Sequence, residues 1–104
     1  MIEIVNMRKE KPKAPYDIQV DRASILGNPF ILKGESHRDE VCDKYNEYFH
    51  IKKNDDVGFY SELKKLLNIY KYYGKIRLFC WCVPKRCHAE TIKEWLEFKI
   101  KIQD

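Results

Sequence analysis

Residues 75–82 read KIRLFCWC, a nearly continuous apolar run. Such a run suits a central strand covered on both faces rather than a half-exposed one. Pro84 should end it, because proline has no N–H to give to a ladder. A central strand needs neighbours. IEIVNM (2–7) and YDIQVD (16–21) are short and carry β-branched residues, so they read as two further strands, with Pro12 and Pro15 marking the connection between them.

Something must also cover the sheet. RASILGNPFILKGE (22–35) has no helical period and holds two glycines and a proline, which makes it a structured loop leaving the second strand. Ser36 and Asp39 resemble a capping box, and Val41, Tyr45, Tyr48 and Phe49 then fall on one helical face. A helix from about His37 to His50 is expected, broken at KKNDD. From Gly58, the residues Phe59, Leu63, Leu66, Leu67, Tyr70 and Tyr73 predict a second amphipathic helix, stopped at Gly74. HAETIKEWLEF places Ile92, Trp95 and Leu96 together and predicts a third, while the alternating tail 98–103 fits either helix or strand. No repeat appears. The order of elements predicts a single α/β domain over 1–104: a two- or three-layer sandwich with a short, mostly parallel sheet and about three helices.

Composition narrows the class of function. The chain has 104 residues, 44% of them apolar and 13% aromatic, which excludes a disordered chain although 35% are charged. The formal net charge of +4 fits a phosphate-bearing partner. Basic residues are interleaved with acidic ones, however, and the only dense cluster, RKEKPK, reads as a solvated loop, so a nucleic-acid partner is not expected. No run approaches the roughly 18 apolar residues of a membrane span, and IEIVNMRKEKPK lacks the pattern of a secretory leader. A cytoplasmic protein with free thiols is therefore expected. Apolar surface on the second helix leaves room for a homodimer.

In parallel sheets, ligands gather beyond the carboxyl ends of the strands. Two loops leave strands in that way, DRASILGNPF (21–30) and WCVPKRCH (81–88). Cys80, Cys82, Cys87 and His88 would suffice in number for a zinc site, but Cys80 and Cys82, one residue apart on a strand, do not form the usual knuckle, and no metal is expected. Cys87, flanked by Lys85, Arg86 and His88 in a first helical turn, has the setting of an activated thiol; catalytic candidates are Cys87, His88 and Asp21. Cys87 could equally pack inward, with His88 making one internal hydrogen bond. A third reading needs no bond-making: a helix amino end beside Lys85, Arg86 and His88 holds an anion. Trp81 and the other loop would complete that pocket. Arg22 and Ser24 supply donors, Gly27 close backbone approach, Asn28 a donor and an acceptor, and Phe30 a stacking face. No cofactor is implied.

At these residues the chain resembles a small uncharacterised domain family of phages and bacteria. Its members carry a strand ending in a Gly-Arg or similar pair, then Ser and Gly-Asn-Pro-Phe, and near their end Cys-Trp-Cys, Pro and Cys-His. Here those are Arg22, Ser24, Gly27, Asn28, Pro29 and Phe30, then Cys80, Trp81, Cys82, Pro84, Cys87 and His88. The resemblance runs from about Asn6 to Trp95, with Asp21 standing where the family often has glycine. It implies a phage setting, in which small α/β proteins bind, sequester or cleave nucleotide signals of host immunity. The expected function is binding of a phosphorylated nucleotide derivative, ADP-ribose-like or cyclic, with sequestration as its purpose. The alternatives are an enzyme acting on a nucleotide or nucleoside sugar through Cys87 or His88, and a protein inhibitor of a host enzyme.

Overall fold

The computed structural model describes residues 1–83 and 85–103. Pro84, expected to end the apolar strand, lies outside the described residues. Three strands, β1 (Ile2–Asn6), β2 (Asp17–Gln19) and β3 (Ile76–Cys80), form one sheet in the order β1-β3-β2. Both pairings are parallel, with Ile2 opposite Ile76 and Asn6 opposite Cys80 on one side of β3, and Asp17 opposite Arg77 on the other. The apolar run is thus the central strand. Only its first part is strand, and Trp81 and Cys82 lie beyond it.

Successive β3 residues point to opposite faces. Ile76, Leu78 and Cys80 join a core built from Tyr45 and Phe49 of α1 (Arg38–Asp55), Phe59, Leu63, Leu66 and Leu67 of α2 (Val57–Tyr73), and Ile92, Trp95 and Leu96 of α3 (Ala89–Gln103). All three helices therefore share one face of the sheet, a two-layer arrangement. On the other face Arg77 lies over the fully buried ring of Phe79 and pairs with Glu3, Glu10 and Asp17. Glu10 belongs to the connection between β1 and β2, so that segment reaches across this side of the sheet in place of a helix.

Three boundaries differ from expectation. Ser36 does not cap α1: it sits in a 3-10 turn, Glu35–His37, and the N-cap position falls on His37, which makes no side-chain capping bond. KKNDD does not break the helix at His50. Lysine and asparagine are tolerated in a helix interior, and α1 runs on until Asp56 turns to extended backbone and caps α2, its carboxylate accepting from Phe59 N at 3.1 Å. The tail is helical, because Ile100 continues the stripe of Ile92 and Leu96 onto the core. As expected, α2 ends at Gly74, whose φ of 77° is the left-handed conformation that glycine adopts freely.

Candidate functional site

Val20 marks where the site begins. Its N–H still donates to Phe79 O at 3.0 Å, and its carbonyl then meets the imidazole of His88, with Nε2 at 2.5 Å. A carbonyl only accepts, so Nε2 carries the proton and Nδ1 presents a lone pair. Nδ1 lies 3.4 Å from the Cys87 sulfur, and the ring packs edge-on against Tyr45. Burial, with a further push from nearby Arg22, lowers the His88 pKa and keeps the ring neutral. His88 is thus a tie between the start of α3 and the end of β2.

From Val20 the first loop folds back on itself. Ser24 Oγ donates to Asp21 O at 3.0 Å, and Gly27 packs so close to the same backbone that a Cβ there would lie 2.3 Å from Asp21 O. Asn28, almost fully buried, accepts from Phe30 N through its side-chain oxygen, a side-chain-closed turn. Tyr45 OH pins the loop by donating to Leu26 O at 2.7 Å. Phe30 meets Tyr48 edge to face.

The second loop is held from β1. Asn6 Nδ2 donates to Val83 O at 2.6 Å, and Met7 N to Cys80 O at 2.8 Å. Trp81 Nε1 donates to Asp21 Oδ2 at 2.8 Å, which joins the two loops directly. Burial works to raise the Asp21 pKa, but hydrogen bonds from Gln19, Trp81 and the Ala23 N–H outweigh it and hold the carboxylate ionised.

Between the loops and the first turns of α1 lies a hollow of about 280 Å3. Phe30, Leu32, Val41 and Trp81 give it apolar walls, and Arg22, Asn28, Arg38 and Arg86 bring donors to it. The three arginines differ in their commitments. Arg38 is gripped by both Glu35 oxygens at 2.8 Å and donates to Arg86 O. Arg86 is spread between Asp39 and Asp43. Arg22 donates only to Phe30 O, at 3.2 Å, and has no carboxylate partner among the described residues.

Eight of the residues expected to bind or to react therefore meet here: Asp21, Arg22, Asn28, Phe30, Trp81, Arg86, Cys87 and His88 all line the hollow. Lys85 does not. It turns to Glu35, in the turn before α1, at 3.2 Å. Ser24 and Gly27 shape the loop without reaching the hollow. The amino end of α3 is partly satisfied from within, because Glu90 accepts from Cys87 N at 3.1 Å.

Cys87 departs from the activated thiol expected of it. It is 3% exposed, and hydrogen bonding to Cys80 and Cys82, together with burial, pushes its pKa up. Two other thiols are lowered: Cys82, brought down to about 6 by a hydrogen bond from Cys87 and by the guanidinium of Arg38, and the buried Cys80, brought down to about 7 chiefly by a hydrogen bond from Cys87. Cys80 and Cys82 do not lie on one strand as expected, because β3 stops at Cys80. Among the described residues no three His, Cys, Asp or Glu side chains converge to hold a metal ion. All four cysteines are free.

Arg38, Leu32 and Cys82 were not foreseen as site members. The signal for Arg38 was present: it precedes Val41, Cys42 and Tyr45 by three, four and seven residues, on the inward face of α1. A wider groove of about 660 Å3 runs along the helices past His50, Tyr60, Trp95 and Phe98, but neither loop reaches it.

Fold and site together define a small α/β domain with a hollow at the carboxyl ends of its parallel strands. The chain belongs to the family described as Domain of unknown function (DUF4326), which matches residues 5–98 and so takes in both loops. Neither a curated protein nor a solved structure matches it. Among the described residues, no helix is long and apolar enough to cross a membrane.

Proposed function

We propose that this protein binds a small phosphorylated nucleotide derivative in the hollow between the two loops and retains it unchanged. The observation that carries this reading is Arg22, a guanidinium without a carboxylate partner among the described residues, set in a hollow that also offers aromatic faces. Arginine binds phosphate through paired N–H groups, and a ring such as Trp81 or Phe30 supplies a surface for a base. Small-molecule pockets span roughly 300–1,000 Å3. A hollow of about 280 Å3 therefore favours a ligand of mononucleotide size, cyclic or linear, over one as large as ADP-ribose.

Binding is favoured over turnover because each catalytic candidate is already engaged. Both oxygens of Asp21 accept hydrogen bonds, His88 is held at both ring nitrogens, and the Cys87 thiol is raised rather than activated. Retention without turnover suits sequestration of a nucleotide signal, the role that the family resemblance implies. A reducing, cytoplasmic setting suits the four free thiols.

Thermal unfolding with AMP, cyclic AMP and ADP-ribose at millimolar concentration tests the proposal, with chromatography of the recovered nucleotide. A ligand at 100 times its Kd adds about 2.7 kcal/mol. For a domain of this length that raises Tm by roughly 10 °C or more. The expected result is such a rise with a mononucleotide, recovered intact. No rise with any of the three, or recovery of a cleaved product, contradicts it.

A further inference from the structure

Residues 63–89 hold seven of the chain's twenty basic residues and none of its sixteen acidic ones, so the rest of the chain carries a formal negative charge. Three of the seven are already paired: Arg77 with Glu3, Glu10 and Asp17, Lys85 with Glu35, and Arg86 with Asp39 and Asp43. The other four, Lys64, Lys65, Lys71 and Lys75, are exposed and have no carboxylate partner among the described residues.

These four lie away from the hollow. Lys75 and Tyr16 immediately precede β3 and β2, so both stand at the amino ends of the parallel strands. Gly74 turns the chain back from α2, and Tyr16 O accepts from Arg77 N at 2.9 Å, which fixes that tyrosine beside the helix end. Three rings then meet in series, each edge to face: Tyr72 against Tyr73 with centroids 4.7 Å apart, and Tyr73 against Tyr16 at 5.8 Å. Lys75 lies over the Tyr16 ring at 4.4 Å. The outermost ring is not spent on the core, since Tyr72 is 81% exposed. Beside it Lys64, Lys65, Asn68, Tyr72 and Tyr73 line an open groove of about 660 Å3, with no acidic residue in the lining among the described residues. The spacing of charges along the chain does not show this surface, because Tyr16 and Lys75 join α2 only through the fold.

We propose that this end of α2 binds single-stranded nucleic acid, with the lysines holding phosphates and the exposed tyrosines stacking on bases. Lysines without neighbouring carboxylates are complementary to a polyanion, and a polyanion that also offers flat rings to aromatic side chains is a nucleic acid with unpaired bases. A duplex keeps its bases inside the stack, out of reach of Tyr72 and Tyr73. An anionic membrane needs apolar side chains to enter it, and the aliphatic side chain in the groove, Ile69, is already packed against the core. The surface is separate from the hollow and stands whether or not the hollow takes a nucleotide.

Fluorescence anisotropy of labelled oligothymidylate and oligouridylate of about 12 nucleotides tests this, with a duplex of the same length and phosphatidylserine vesicles as the other arms. At about 50 mM salt the expected Kd for a single strand is roughly 100 µM or tighter, weakening about 20- to 50-fold by about 200 mM, as three or four phosphate contacts require. Tyr72→Ala should weaken binding roughly 5- to 150-fold, the effect of losing one stacked base. Replacing both lysines, Lys64→Gln with Lys65→Gln, should lower the salt slope by about 1.4. All three side chains are exposed, so the fold should persist, which circular dichroism checks. No binding of either single strand, a duplex bound as tightly, vesicle binding in its place, full affinity in Tyr72→Ala, or an unchanged salt slope in the lysine variant would each overturn the proposal.

Discussion

Arg22 and Arg86 bring the same charge to the same hollow, but Arg86 is already spent on Asp39 and Asp43 while Arg22 has only a backbone carbonyl. Identity alone therefore does not make a binding residue; what a side chain already holds decides what it can offer. The same reasoning applies to the titrating groups. Cys82 is lowered to about 6 in the folded chain, so its thiolate favours the native state fully above the unfolded thiol pKa, and that stability is lost as pH falls through about 6. His88 is also lowered, by burial, so the unfolded chain takes up its proton first and the native state loses ground as pH drops below about 6.5. Both effects have one sign. Urea midpoints should rise from pH 5.5 to pH 8. Cys82→Ser should flatten the part above pH 6.5, and His88→Gln, which keeps a donor toward Val20 O, the part below it. Unchanged slopes in both variants would show that neither group is perturbed as described.

At the level of elements, Gly27 has a steric task rather than a ligand-binding one. A methyl group there would meet Asp21 O at 2.3 Å and Arg22 Cα at 2.7 Å, and backbone cannot turn aside as a side chain does. Gly27→Ala should destabilise the protein by about 1–3 kcal/mol, read by urea denaturation, and should weaken nucleotide binding because Arg22 moves with the loop. A variant of wild-type stability would remove this account of the turn. Much of the element level was legible beforehand: period and β-branching indicated β1, β2, β3 and α2, and KIRLFCWC indicated the central strand. The misjudged ends were those set by contacts the sequence does not display. The halt of β3 at Cys80 coincides with Asn6 drawing the next residues toward β1, and the break between α1 and α2 lies at the Asp56 cap rather than at the lysines before it. The candidate site was half legible for a related reason. Loop motifs pointed to Arg22, Asn28, Trp81 and His88, but only tertiary pairing shows that Lys85 turns to Glu35 and that Cys87 is raised while Cys80 and Cys82 are lowered.

At the scale of the molecule, two segments some sixty residues apart are brought together because β2 and β3 are parallel neighbours whose carboxyl ends open on the same side. Trp81 to Asp21 and His88 to Val20 lock the loops once they arrive, and α1 closes the third wall with Arg38 and Val41. The hollow is thus a property of strand order, with its charge concentrated on one uncommitted arginine. Isothermal titration of a mononucleotide into the wild type and Arg22→Gln tests this directly. A hydrogen bond to a charged group contributes about 1.5–3 kcal/mol, so the variant should bind roughly 10- to 150-fold more weakly while its Tm stays close to wild type; equal affinity in the two proteins would contradict the account.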